Sequence, residues 1–75
     1  MSEQTFGEKA VELQLNPSNL DSVSKCKKIY ANAIDQLNDL RSTTDQTGVK
    51  RWCSFAITQT ELAQIAAVKA ITWKD

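Results

Sequence analysis

"VKRWCSFAITQTELAQIAAVKAITW", Val49 to Trp73, is the stretch whose reading decides the architecture. Cys53, Ala56, Thr60, Ala63, Ala67 and Ala70 recur along it at spacings of three and four. They form a helical face of mostly small residues, which another helix can approach closely. Trp52, Phe55, Leu62, Ala66, Lys69 and Trp73 recur with the same period on a second face, where one lysine sits among large apolar groups. A helix that is apolar nearly all round is buried on more than one side. The fold must supply that cover.

Working toward the N-terminus, "STTDQTG", Ser42 to Gly48, is polar, lacks periodicity and ends in glycine, so the chain is expected to turn there. Before it, about Pro17 to Arg41, Val23, Cys26, Tyr30, Ala33, Leu37 and Leu40 alternate at three and four, a seam of coiled-coil type. Lys25, Lys28, Asn32 and Asp39 lie opposite, as a solvated face. A helical hairpin follows. Ahead of Pro17, Thr5 stands three residues before Glu8 in capping-box spacing, which predicts a short helix over about residues 5–14 carrying Ala10, Val11 and Leu13. In "LNPSN", Pro17 disfavours helix at Asn16 and suits the first turn of the next helix, with Asn16 as its cap. The expected fold is therefore all-α, a single helical domain over 1–75: a short N-terminal helix, a helix over 17–41, a turn at 42–48 and a helix over 49–73.

At 75 residues this domain is near the size at which one core barely outweighs chain entropy. Two long helices and a short one leave the third piece under-covered. Other copies of the chain are the simplest cover, so an obligate homo-oligomer is expected. Cys26 and Cys53 fall in no close pair and no metal-ligand spacing, and they read as reduced thiols in a cytoplasmic protein. The opening "MSEQTFGEK" is unlike a signal peptide, and no apolar run approaches the ~20 residues of a membrane helix.

Function is narrowed first by what is missing. There is no histidine, no Gly-rich phosphate loop, no nucleophile elbow, no metal cluster and no basic arm, so neither enzyme nor cofactor is expected. Nine basic residues balance nine acidic ones, which leaves no net field to attract duplex nucleic acid. What remains is a set of lysines beside hydroxyls, amides and aromatic rings, suited to a small anion with flat faces, such as a nucleotide. Lys69 reads either as a snorkelling lysine whose stem covers apolar surface, or as a phosphate contact at a subunit interface. "KCKK", Lys25 to Lys28, is either a solvated face or a cationic patch. Lys27 lies one position from the seam and can reach an interface edge, whereas Lys28 points further out. Tyr30 and Phe6 are the candidate stacking rings. Tyr30, on the seam, also reads as core, and Phe6 reads as a staple for the first helix or as a ring over a ligand. "VKR", Val49 to Arg51, opens the third helix with positive charge, unfavourable against the helix dipole unless an anion or Asp45 offsets it. Trp52 and Trp73 read as interface anchors.

"TFGEKAV" (Thr5 to Val11), "NPS" (Asn16 to Ser18), "KKIYANAID" (Lys27 to Asp35) and "AVKAITW" (Ala67 to Trp73), in this order and spacing, resemble the small phage proteins that inhibit CBASS, the cyclic-oligonucleotide-based antiphage signalling system of bacteria. The resemblance covers most of the chain except the Ser42–Gly48 turn. It implies a phage-encoded helical protein of the host cytoplasm that assembles as a compact hexamer and binds cyclic dinucleotides between protomers without cleaving them. Some members also hold cyclic trinucleotides at a separate inter-subunit site. By position in the matching strings, Lys27 is the counterpart of a ligand-contacting lysine and Lys69 of a basic residue in the last helix. Two other classes stand beside this sponge: a helical adaptor that grips a host or phage protein, and an enzyme degrading the same ligand, for which no catalytic group is found.

Overall fold

The computed structural model describes residues 3–12 and 21–74. Among these the chain is all-helical: α1 spans Phe6–Ala10, α2 spans Asp21–Thr43 and α3 spans Thr47–Thr72. The expected corner at Asn16 and Pro17, and Leu13, lie outside the described residues.

Three boundaries differ from the sequence reading, each for a local reason. α1 ends at Ala10 rather than near residue 14. The Val11 N–H returns to the Gly7 carbonyl, the Glu12 N–H to the Lys9 carbonyl, and Glu12 adopts a left-handed φ of 55° that stops the helix. α2 runs two residues past Arg41, where the Ser42 hydroxyl donates to the Asn38 carbonyl and the Thr43 hydroxyl to the Leu40 carbonyl. α3 starts two residues early, with Gly48 inside its first turn, so the connection shrinks from 42–48 to Thr44–Gln46. A loop this short sends α3 back antiparallel along α2.

At five residues α1 is far too short to hold itself, and its docking onto α2 explains its existence. Thr5 is the N-cap: its hydroxyl accepts the Glu8 N–H at 3.1 Å, and the Glu8 carboxylate accepts the Thr5 N–H at 2.9 Å. Between these two, the Gly7 N–H donates to the Asp35 carboxylate of α2 at 2.7 Å. Three N–H groups at the start of α1 are thereby satisfied, one of them by a different helix. Gly7 is buried against the backbone of α2, and a Cβ at that position would collide with the Ala31 carbonyl oxygen. The contact is open only to glycine.

The core is small. Val11 of the α1 turn, Ala31 and Ile34 of α2, and Ile57 of α3 form one buried cluster, with Ala10, Tyr30 and Leu37 packed against it. Cys53 is also buried, and Cys26 is half-buried, both as free thiols. The buried line of α2 is thus rotated from the expected seam toward Ala31 and Ile34, leaving Ala33 and Leu40 exposed. The cause is that α2 packs against α1 and α3 together, so its covered arc is wider than a two-helix seam. The added arc contains Lys27, Asn38 and Arg41, whose polar heads disguise it in the sequence.

Candidate functional site

α3 has two unlike sides. Its inner line, Val49, Cys53, Ile57, Thr60, Gln64 and Ala67, is buried or half-buried against the rest of the chain. The small-residue face expected from the sequence straddles the edge of this line: Cys53, Ala56, Thr60 and Ala67 are covered, whereas Ala63 and Ala70 are exposed. On the far side Trp52, Phe55, Gln59, Leu62, Ala66, Lys69 and Trp73 are all exposed, at spacings that alternate strictly between three and four. These positions form a heptad-like seam whose side chains stay largely in solvent.

Charge is placed along that side in a repeated way. The Lys69 ammonium lies 5.9 Å from the centre of the Trp73 ring, and the Arg51 guanidinium 5.9 Å from the centre of the Trp52 ring. Trp52 and Phe55 meet edge to face, 5.7 Å between centroids and 89° between planes. Arg51, Trp52 and Phe55 line a shallow notch of about 260 Å³. A third cation sits over a ring elsewhere, where the Arg41 guanidinium lies 5.5 Å from the Phe6 centroid. Arg41 also donates to the Asn38 side-chain oxygen at 2.8 Å and to the Ser54 hydroxyl at 3.0 Å, which ties α1, α2 and α3 together at one level. Each exposed cation–ring pair contributes about 0.5–1 kcal/mol. Each also presents positive charge beside a flat apolar surface.

The five residues singled out from the sequence do not converge on one pocket within a single chain. Lys27 is half-buried, and its ammonium donates to the Glu12 carbonyl at 3.2 Å, where it closes the C-terminal turn of α1. Tyr30, one turn along α2, packs against the core. Lys28 is exposed and, with Ser24, Lys25 and Ile29, borders an open apolar hollow of about 430 Å³. Phe6 lies at the level of Arg41, about 21 Å along α2 from Lys27 at 1.5 Å per residue. Lys69 is near the Lys27 end of the hairpin, because Arg41 stands opposite Ser54 and the helices run antiparallel, but it points to the outer side of α3. The lysines therefore gather at one end of the molecule and Phe6 at the other.

Three participants escaped the sequence reading. Arg41 appeared there only as a helix end; its Asn38 partner three residues earlier is the one local signal. Arg51 was read only as an unfavourable charge at a helix start, although its neighbour Trp52 supplies a ring for it. Asp35 gave no signal, since its partner Gly7 is 28 residues away.

No group of three or more His, Cys, Asp or Glu side chains among the described residues is placed to hold a metal ion. No described helix is long and apolar enough to cross a membrane. No family model matches the chain, and neither the curated proteins nor the solved structures contain a significant match to it.

Proposed function

We propose that this chain is a sponge for cyclic dinucleotides: it holds the ligand at contacts between copies of itself and does not cleave it. The observation that carries this reading is the outer side of α3, where the Lys69 and Arg51 cations stand over exposed indole rings on a helix too apolar to remain bare. A cyclic dinucleotide is two flat bases joined by two phosphodiester anions. Rings stack on the bases, and lysine or arginine makes charge-assisted hydrogen bonds to the phosphates. Because the candidate residues of one chain lie apart, a site built from them takes residues from more than one copy. The ordered similarity of "TFGEKAV", "KKIYANAID" and "AVKAITW" to the CBASS inhibitors of phages supports the same reading, with a hexamer as the assembly, cyclic trinucleotides as second ligands and the cytoplasm of the infected cell as the compartment.

Titration calorimetry with a cyclic dinucleotide and then a cyclic trinucleotide, followed by heating and chromatography of the released ligand, tests it. Tight binding with intact ligand recovered is the expected result. Linear product would make the protein an enzyme, and absence of binding to both would defeat the sponge reading. Lys27→Glu is expected to weaken cyclic-dinucleotide affinity by at least about 1.5 kcal/mol, the scale of a lost charge-assisted contact, while assembly persists. Lys27→Met also loses the bond to the Glu12 carbonyl, so the difference between the two variants isolates the effect of the added negative charge on the ligand. A second reading, a helical adaptor for a host or phage protein, rests on the same exposed aromatic face. Charge reversal at Lys27 and Lys69 leaves such partner binding intact and abolishes nucleotide capture.

A further inference from the structure

The exposed seam of α3 has a symmetry that its residue order makes visible. Taken from Leu62 outward, Phe55 lies seven residues before and Lys69 seven residues after; Arg51 lies eleven before and Trp73 eleven after. The seam thus has complementary partners at equal distances from one central leucine: a ring for a cation, and a cation for a ring. An antiparallel copy of the same helix, turned about an axis through Leu62, would set Leu62 on Leu62, the Lys69 ammonium at the Phe55 ring, and Trp73 at the notch between Arg51, Trp52 and Phe55. A two-fold contact makes each of these twice.

We propose that α3 pairs antiparallel with α3 of a second copy of this chain, about a two-fold axis at Leu62, with Trp73 of each copy seated in the Arg51, Trp52 and Phe55 notch of the other. Charge fixes the direction. A parallel pair in register would oppose Lys69 to Lys69 and Arg51 to Arg51 and align the two helix dipoles. Reversing one helix moves the two Lys69 ammonium groups about 21 Å apart at 1.5 Å per residue, beyond a physiological screening length of about 8 Å. Area is sufficient. Trp52, Phe55, Leu62 and Trp73 are 62%, 53%, 56% and 63% exposed. With about 150–250 Å² per aromatic side chain, covering them removes on the order of 500 Å² per copy and about 1,000 Å² per pair, the lower bound for a biological interface before the flanking residues are counted. Gln59 and Ala66 at the intervening positions are slim enough for two helices to close to the usual 8–10 Å between axes.

The pairing specifies the assembly part of the sponge reading and rests on that part alone; because it covers the rings beside Arg51 and Lys69, the ligand of that reading would meet these cations at the edge of the pair and not on the paired rings. Three variants that each add one cysteine at an exposed seam position test it: Leu62→Cys, Phe55→Cys and Lys69→Cys, oxidised with copper phenanthroline and mapped by mass spectrometry, with light scattering on the unmodified protein. Cys26 and Cys53 serve as internal controls. The expected pattern is a 62–62 disulfide in Leu62→Cys and no self-linked dimer in Phe55→Cys or Lys69→Cys, whose copies stand about 21 Å apart by helix rise. Mixing Phe55→Cys with Lys69→Cys then yields a 55–69 link. Equal self-linking at all three positions would show a parallel pair and overturn the proposal. So would a monomer by light scattering, or an oligomer in which position 62 never links. Calorimetry on the same samples separates the two readings: nucleotide binding without a 62–62 link defeats the pairing and spares the sponge, and a 62–62 link without nucleotide binding does the reverse.

Discussion

The inner and outer sides of α3 invert the ordinary relation between size and burial. Inside, the core consists of Val11, Ala31, Ile34, Cys53 and Ile57, and the largest fully buried side chains are Ile34 and Val11. Outside stand Trp52, Phe55, Leu62 and Trp73, with Ile65 beside them, each more than half exposed. Since stabilisation follows apolar area removed from water, the larger share of what α3 can contribute is left unused by its own chain. Contiguous exposed apolar patches of this kind mark contact surfaces. The intramolecular fold holds this surface out and leaves most of its apolar area in water.

If that division is right, substitutions on the two sides should fail differently. The largest effect belongs to Ile34→Ala, which empties the centre of the core and should cost about 2–5 kcal/mol, read as a lowered denaturant midpoint at every protein concentration. Gly7→Ala comes next. Its methyl group collides with the Ala31 carbonyl and pulls the Gly7 N–H from Asp35, so α1 should undock at a cost of about 1–3 kcal/mol while α2 and α3 stay helical. Hydrogen exchange would show protection lost around residues 6–12 and retained at Ile34 and Ile57; loss throughout would mean that α1 is integral to the core. Arg41→Ala removes two hydrogen bonds and the cation over Phe6, for about 1 kcal/mol. Smallest is Leu62→Gln, expected within about 0.5 kcal/mol of the parent when both are dilute, as for other exposed positions. A concentration-dependent deficit in that variant alone would assign Leu62 to a contact between copies; a deficit at all concentrations would place it in the intramolecular core and break the comparison.

The inner side also shows why one seam was misplaced. Val23, Cys26, Tyr30, Ala33, Leu37 and Leu40 form the more apolar line in the sequence, yet Ala31 and Ile34 are the residues that α2 buries completely. Lys27, Asn38 and Arg41 flank Ile34 and make that side look polar. In the structure their stems lie along the covered arc while their heads are bonded to the Glu12 carbonyl, to Arg41 and to Ser54. A pattern based on residue type counts a lysine as exposed. The bond that holds it to an interface edge appears only when α1 is in place.

Of the candidate residues, the placement of Lys27 beside the packed arc of α2 and of Lys69 beside large apolar groups was legible, because both follow from helical periodicity alone. The partners were not. Phe6 under Arg41, Gly7 on Asp35 and Lys27 at Glu12 join residues 35, 28 and 15 positions apart, and nothing local encodes such separations.

The sequence by itself determined three things: that the chain is helical, that Thr5 and Glu8 start the first helix, and that the last helix has more apolar surface than one chain covers. Local hydrogen bonding and the 3.6-residue period suffice for each. The tertiary structure alone decided which arc of α2 is core, and which side of α3 faces inward. Those depend on two helices meeting α2 at once through a glycine that lets backbones touch, a condition that exists only when residues distant in the chain have come together.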